Sequence, residues 1–192
     1  MPSLLDLYRL QVRVKNKLFT MAVCPAFGKF GPKSVIRPPA SIHGESRIEI
    51  GAGVYVGPDC WLQVLAGPSG EDNKAIIRIG DRTSFAGGVT MTAVVGLEIG
   101  ADVLFGKNVH LSDHGHEFAD AGTPIARQGL SGAKPVKIGA GSWIGQGVVI
   151  CPGVTIGRNS VIGANSVVRS DVPDFHVAAG VPARIIRKIG SI

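Results

Sequence analysis

Six aliphatic residues spaced six apart (Ile138, Ile144, Ile150, Ile156, Ile162 and Val168) predict an all-β chain wound as a parallel β-helix. Two companion patterns point the same way. Glycine follows the aliphatic at 139, 145, 157 and 163, and a Ser or Val stands four places after each one (Ser142, Val148, Val154, Ser160, Ser166, Val172). The period matches neither a helix nor a single alternating strand, so each hexad reads as one short strand and one tight corner. The aliphatic fills the axis of a prism, the Ser or Val points partly inward, and glycine is expected to tolerate the sharp backbone of the corner.

The elements follow in chain order. Leu4, Leu7, Leu10, Val14, Leu18 and Met21 cluster on a helical wheel, widened by Leu5, Tyr8, Val12 and Phe19. Asp6, Arg9, Arg13 and Lys17 lie opposite, which predicts a basic amphipathic helix ending before Pro25. Such a helix either packs on the prism or a neighbouring subunit, or lies in an anionic membrane surface. The hexad pattern leads in at Ile36, Ile42 and Ile48, then runs through Ile50-Val56-Leu62, Ile79-Phe85-Met91 and Ile99-Phe105-Leu111. Three hexads close one triangular coil, giving about six coils between residues 36 and 173 and a prism about 25–30 Å tall. Residues 66–76 are polar and turn-rich and are expected to leave the prism as a surface loop. Residues 113–135 form a longer protruding loop, and a stretch of that length without structure of its own is usually functional. His110, His114 and His116 sit at its root. Pro182 to Ile189 reads as a short basic closing helix. The organisation expected is a helical segment over 1–33, the repeat domain over 34–176 and a closing tail over 177–192.

Charge narrows the function classes. The chain carries +6, and residues 1–33, with six Lys/Arg and one Asp, hold +5 of it. The body is nearly neutral, so a nucleic-acid footprint is not indicated. No uninterrupted apolar run of membrane-spanning length occurs, and Arg9, Arg13, Lys15 and Lys17 argue against a cleavable signal peptide. Cys24, Cys60 and Cys151 have no metal-like spacing and read as buried thiols of a cytosolic protein.

The phrases Trp143-Ile144-Gly145, Pro152-Gly153-Val154-Thr155-Ile156-Gly157, Val161 to Val168, Asp171-Val172-Pro173 and Ala179 to Arg184 resemble the hexapeptide-repeat acyltransferases. The branch resembled is that of the sugar and polysaccharide O-acetyltransferases related to the galactoside and maltose enzymes. The resemblance implies a left-handed parallel β-helix, a sense that periodicity alone does not give, because parallel crossovers are normally right-handed. It also implies a homotrimer with active sites between neighbouring prisms, acetyl-CoA as acyl donor and a histidine base at the start of the long loop. By that resemblance the base is His114, with His116 as the alternative or as a residue shaping the acceptor pocket. Asp113 or Glu117 would hold the imidazole. Contacts to acetyl-CoA carry over to Trp143, Gly145, Gln146, Ala164, Arg169, Ser170 and Arg184.

Acetyl transfer to a hydroxyl needs a proton acceptor that works near neutral pH, which imidazole provides, with a contribution of about 10²–10⁴-fold. The activity that the resemblance implies is O-acetylation of a sugar hydroxyl, in bacterial surface polysaccharide biosynthesis. Where the galactoside and maltose enzymes carry an Asn, this chain has Ala86, which argues against a free glucoside or galactoside as acceptor, and the basic amphipathic N-terminus fits a lipid-linked or nucleotide-linked sugar better. The basic N-terminus fits a cytoplasmic enzyme in peripheral contact with the inner membrane face through residues 1–24. N-acetylation of a nucleotide-linked amino sugar, a non-catalytic scaffold and a metal site built from His110, His114 and His116 are the alternatives; no metal is expected.

Overall fold

The computed structural model describes residues 2–65 and 76–190. The insertion expected at 66–76 lies outside the described residues except for Ile76, which is buried. The chain is mostly β, with parallel sheets and one N-terminal helix. Helix α1 (Leu4–Val23) starts at a capping box: the Asp6 N–H donates to Ser3 Oγ, and Asp6 accepts from the Ser3 N–H. It ends in a 3₁₀ turn over Cys24–Ala26, where Pro25 removes a helical donor.

Three parallel sheets form the sides of the prism. The first face stacks Lys29–Phe30, Ile48–Ile50, Ile77–Ile79, Leu97–Ile99, Val136–Ile138 and Thr155–Ile156. The second stacks Val35–Ile36, Tyr55–Val56, Ser84–Phe85, Leu104–Phe105, Trp143–Ile144 and Val161–Ile162. The third stacks Ala40–His43, Cys60–Val64, Thr90–Ala93, His110–Ser112, Val149–Ile150 and Val167–Val168. Strict register puts like on like, so Ile36, Val56, Phe85, Phe105, Ile144 and Ile162 form one buried column. Within it the rings of Phe85 and Phe105 stack with centroids 4.7 Å apart.

Four local expectations are revised. Ser142, Ser160 and Ser166 point fully rather than partly inward, each at most 1% exposed. They remain soluble in the core because each hydroxyl is paired: Ser142 Oγ donates to the Gly157 carbonyl and accepts from the Ser160 N–H. The glycine following each aliphatic is not the positive-φ residue of its corner. Positive φ falls two places later, on Gly141, Gly147, Gly153, Asn159 and Asn165. Gly145 is required instead for close approach, since a Cβ there would lie 2.6 Å from the Ala164 amide nitrogen. The phase of the first coils also differs. A 3₁₀ turn over Glu45–Arg47 adds residues, so Ile50 and not Ile48 stacks on Phe30, and the prism begins at Lys29.

The expected C-terminal helix is a strand. Ala183–Lys188 runs antiparallel to His176–Gly180, which itself pairs parallel with Val161–Ile162. The reason is the open edge of the second face, whose backbone groups need partners; Gly180 at φ +104° turns the chain back to supply them. Val177 and the Ile185-Ile186 pair suit an extended chain better than a helix.

The outer surfaces of the faces differ in charge. On the first, Glu49, Arg78, Glu98 and Lys137 form a ladder, with Arg78 3.8 Å from Glu49 and 3.4 Å from Glu98, and Lys137 3.4 Å from Glu98. The second and third present no formal charge on their central columns. Val35, Tyr55, Ser84, Leu104, Trp143 and Val161 stand on one, and Ser41, Trp61, Thr90, His110, Val149 and Val167 on the other.

Candidate active site

The long excursion leaves the third face at Asp113 and returns at Lys134, whose N–H donates to the Asp113 carbonyl at 2.7 Å. It is not structureless. Gly115–His116 pairs antiparallel with Leu130–Ser131, and a 3₁₀ turn spans Ile125–Arg127. Gln128 ties the tip: its amide donates to the carbonyls of Asp120 and Thr123 and accepts from the Asp120 N–H.

At the root, the Asp113 side chain is wholly buried, and its oxygens accept the N–H groups of Val94, Val95 and Gly96 from the preceding coil. Oδ1 also faces His114 Nδ1 at 2.8 Å. With three N–H donors already on its oxygens, the Asp113 carboxyl is best matched by an N–H at His114 Nδ1, a tautomer that in the neutral ring leaves the Nε2 lone pair free. Ser112 braces the same residue, donating to the His114 carbonyl at 2.8 Å and accepting its N–H at 3.3 Å. Among the described residues, His114 Nε2 makes no hydrogen bond. The imidazole is 7% exposed.

The other histidines and acids differ. His116 is exposed on the hairpin, opposite Leu130. Glu117 accepts the N–H groups of Phe118 and Ala119 and closes its own turn rather than holding an imidazole. His110 stands on the outer surface of the third face; desolvation, then the neighbouring His114 ring, holds it below the ordinary histidine value. Burial raises the Cys60 thiol and makes it inert as a nucleophile. Among the described residues no group of three His, Cys, Asp or Glu is arranged to hold a metal.

The residues expected to contact acetyl-CoA fall into three groups. Trp143 projects from the second face and is 55% exposed. Gly145, Gln146 and Ala164 lie at the corner between the second and third faces. There the Gly145 N–H is already given to the Ile162 carbonyl, while the N–H groups of Gln146 and Ala164 find no acceptor among the described residues. These two free donors lie on consecutive coils and suit amide carbonyls running along the prism. Ser170 and Arg184 line one cleft of about 210 Å³ at the C-terminal end, with Asp171 and Ile185. Arg169 is exposed beside Ser170. His114 and the Gln146–Ala164 corner stand at opposite edges of the third face, because the pairing of His110 with Val149 sets Gln146 level with Lys107, well before His114. A single chain therefore does not gather all these groups at one point.

Sequence reasoning missed the three backbone donors of Val94–Gly96, the Ser112 brace and the Gln128 tie. Nothing in the sequence beyond an Asp next to the histidine pointed to the first.

The model of the bacterial transferase hexapeptide (six repeats) matches residues 135–170. The chain is 30% identical over 160 residues to the putative lipopolysaccharide biosynthesis O-acetyl transferase WbbJ of Escherichia coli K12, covering 80% of this chain and 78% of that one. It is 32% identical over 142 residues to a probable acetyltransferase of Mycobacterium tuberculosis, covering 74% of this chain but only 44% of that relative's length. Among solved structures, a hexapeptide-repeat-containing acetyltransferase of Vibrio cholerae complexed with acetyl coenzyme A superposes with a TM-score of 0.63 at 32% identity, over 92% of this chain and 79% of that one. The chain belongs to the hexapeptide-repeat acyltransferase family.

Proposed function

We propose that this protein is an acetyl-CoA-dependent O-acetyltransferase that acts on a sugar hydroxyl in bacterial surface polysaccharide biosynthesis. The observation that carries the reading is the Asp113–His114 pair, buried at the root of the loop and oriented with Nε2 unengaged. The likeness to WbbJ, a putative lipopolysaccharide biosynthesis O-acetyl transferase, supports the acceptor class. In this reading the coils run left-handed, the sense the family resemblance implies.

Acetyl-CoA supplies an activated thioester carbonyl. His114 Nε2 takes the hydroxyl proton as the sugar oxygen attacks, and passes it to the departing sulfur; Asp113 is the positioning residue that keeps Nδ1 protonated. No nucleophile on the protein is required. The free N–H groups of Gln146 and Ala164 fit the pantetheine amides, and Arg169, Ser170 and Arg184 fit the phosphates. Trp143 lines the channel between them.

A homotrimer with interfacial sites completes this arrangement. The second and third faces are uncharged along their centres and expose Leu104, Trp143 and Trp61 at 44–56%, whereas the first face is an ionic ladder adapted to water. Packing the third face of one prism against the second face of the next would bring His114 and a CoA corner to one groove.

Acetyl-CoA binding by calorimetry is the test, because it needs no knowledge of the acceptor. One saturable site per chain, weakened in Arg184→Ala, followed by transfer to saccharides that is lost in His114→Ala, supports the proposal. No binding at millimolar acetyl-CoA overturns it. Loss of transfer in His116→Ala but not in His114→Ala would move the base to His116, and transfer only to amino sugars would make the enzyme an N-acetyltransferase.

A further inference from the structure

Helix α1 meets the prism with one side only. Thr20 is its single buried residue, and its hydroxyl both accepts the Ile36 N–H at 3.0 Å and lies 3.2 Å from the Ile36 carbonyl. It thereby caps the open lower edge of the second face. Phe19 and Val23 pack on the core beside it. The apolar stripe predicted from the sequence points elsewhere. Leu4, Leu7, Leu10, Val14, Leu18 and Met21 are between 49% and 87% exposed. At 100° per residue their stripe is centred some 180° from the Val23–Thr20 side, so its centre faces away from the prism, which reaches only one border of the stripe at Pro38.

Charge indicates what covers the stripe. Lys17 borders it on one side and Lys15 on the other, and Arg13 and Arg9 follow behind Lys17; all four are exposed. Asp6 is the only acid on the helix, and it is already engaged by Ser3 and by Arg9 at 3.5 Å. Pairing two such stripes from separate copies would crowd lysines with no free carboxylate to match them. Apolar side chains flanked by lysines instead match the acyl boundary and anionic headgroups of a bilayer, where lysine stems lie along the apolar layer and their ammonium groups reach the phosphates. No helix among the described residues is long and apolar enough to cross a membrane, so the contact is with the surface.

We propose that α1 docks the protein on an anionic lipid surface through Leu4, Leu7, Leu10, Val14, Leu18 and Met21, with Lys15 and Lys17 on the headgroups. The docked end is that of the first coil, remote from the Ser170–Arg184 cleft at the far end of the prism. This inference does not depend on the acetyltransferase reading.

The test is flotation of the full-length protein with extruded vesicles of phosphatidylglycerol and phosphatidylethanolamine, against vesicles of phosphatidylcholine alone. Wild type is expected to float with the anionic vesicles and to release as salt rises to 0.5 M. Each surface lysine contributes about fivefold, equivalent to ~1 kcal/mol, so the Lys15→Gln/Lys17→Gln double variant should bind about 25-fold more weakly. Leu10→Asn/Leu18→Asn should abolish flotation while circular dichroism and mass by light scattering stay those of wild type. Failure of wild type to float with anionic vesicles overturns the proposal. So does a Leu10→Asn/Leu18→Asn variant that still floats but has a smaller mass, because the stripe would then bind a second copy of the chain.

Discussion

Replacing Asp113 by Asn separates orientation of the histidine from mere support of the fold. Oδ2 accepts the N–H groups of Val95 and Gly96 at 2.7 Å each, the Val94 N–H lies 3.0 Å from both oxygens, and Oδ1 faces His114 Nδ1 at 2.8 Å. An amide keeps an acceptor for the backbone donors but loses the charge. Bonds to a charged group contribute about 1.5–3 kcal/mol against about 0.5–1.5 kcal/mol for neutral pairs, so three weakened bonds cost roughly 3 kcal/mol. That is a large part of an ordinary folding free energy of about 5–15 kcal/mol but not all of it, so the variant is expected to fold. The chemical effect is larger. The amide nitrogen takes the place of Oδ1 and donates to Nδ1, forcing the proton of the imidazole onto Nε2. The base proposed above is then blocked, and kcat should fall by about 10²–10⁴-fold. Urea unfolding checks the stability change, and thiol release during acetyl transfer checks the rate, with acetyl-CoA affinity unchanged within about threefold. Because the two residues act as a unit, adding His114→Ala should cost little more. A folded Asn variant that keeps kcat within about threefold of wild type would refute this reasoning.

Three further outcomes follow from particular contacts. Gly145→Ala sets a Cβ 2.6 Å from the Ala164 nitrogen and 2.7 Å from the Ile162 carbonyl oxygen, both backbone atoms that cannot rotate away. It should cost about 3 kcal/mol and lower Tm by roughly 6–12 °C in calorimetry. An unchanged Tm would mean that the coils can part at that corner. Gln128→Ala removes three hydrogen bonds from the loop tip, so exchange protection of the amides of residues 120–128 should be lost while the unfolding midpoint moves by less than about 0.5 kcal/mol; a global loss above about 2 kcal/mol would show the loop to be part of the core's cooperative unit. The folded state holds the His110 imidazole below its ordinary value, so as pH falls through that ordinary value the unfolded chain binds a proton that the folded chain resists. Stability should therefore drop on acidification from pH 7.5 to 5.5, and His110→Thr should reduce that drop in paired urea titrations; an equal slope in the two proteins would exclude His110 as its source.

The repeat was legible because a fixed-period core leaves a one-dimensional record. Every coil buries the same position, so Ile138, Ile144 and Ile150 report three sides of a prism as directly as its coordinates do. The helix over residues 4–23 was legible for the same reason, from its own period and from Pro25. Chemistry left a thinner trace. Three histidines near one excursion indicated a site, but nothing in the chain separated Asp113 from Glu117 as the partner of the imidazole.

Those distinctions depend on what comes to lie beside what. Stacking of coils brought Val94, Val95 and Gly96 onto Asp113 across 17–19 positions, and that contact fixes the proton on His114. It also gave each glycine its role, since close approach at Gly145 depends on the coil above and not on its own neighbours in sequence. The tail became a strand and not a helix because an open sheet edge was there to be paired. Composition and period determined that the chain would form a prism with an apolar axis and a basic helix at one end. Only the tertiary structure decided which acid meets the histidine and which flank of the helix is left uncovered, because contacts between successive turns of the prism are set by register, and sequence separation does not record them.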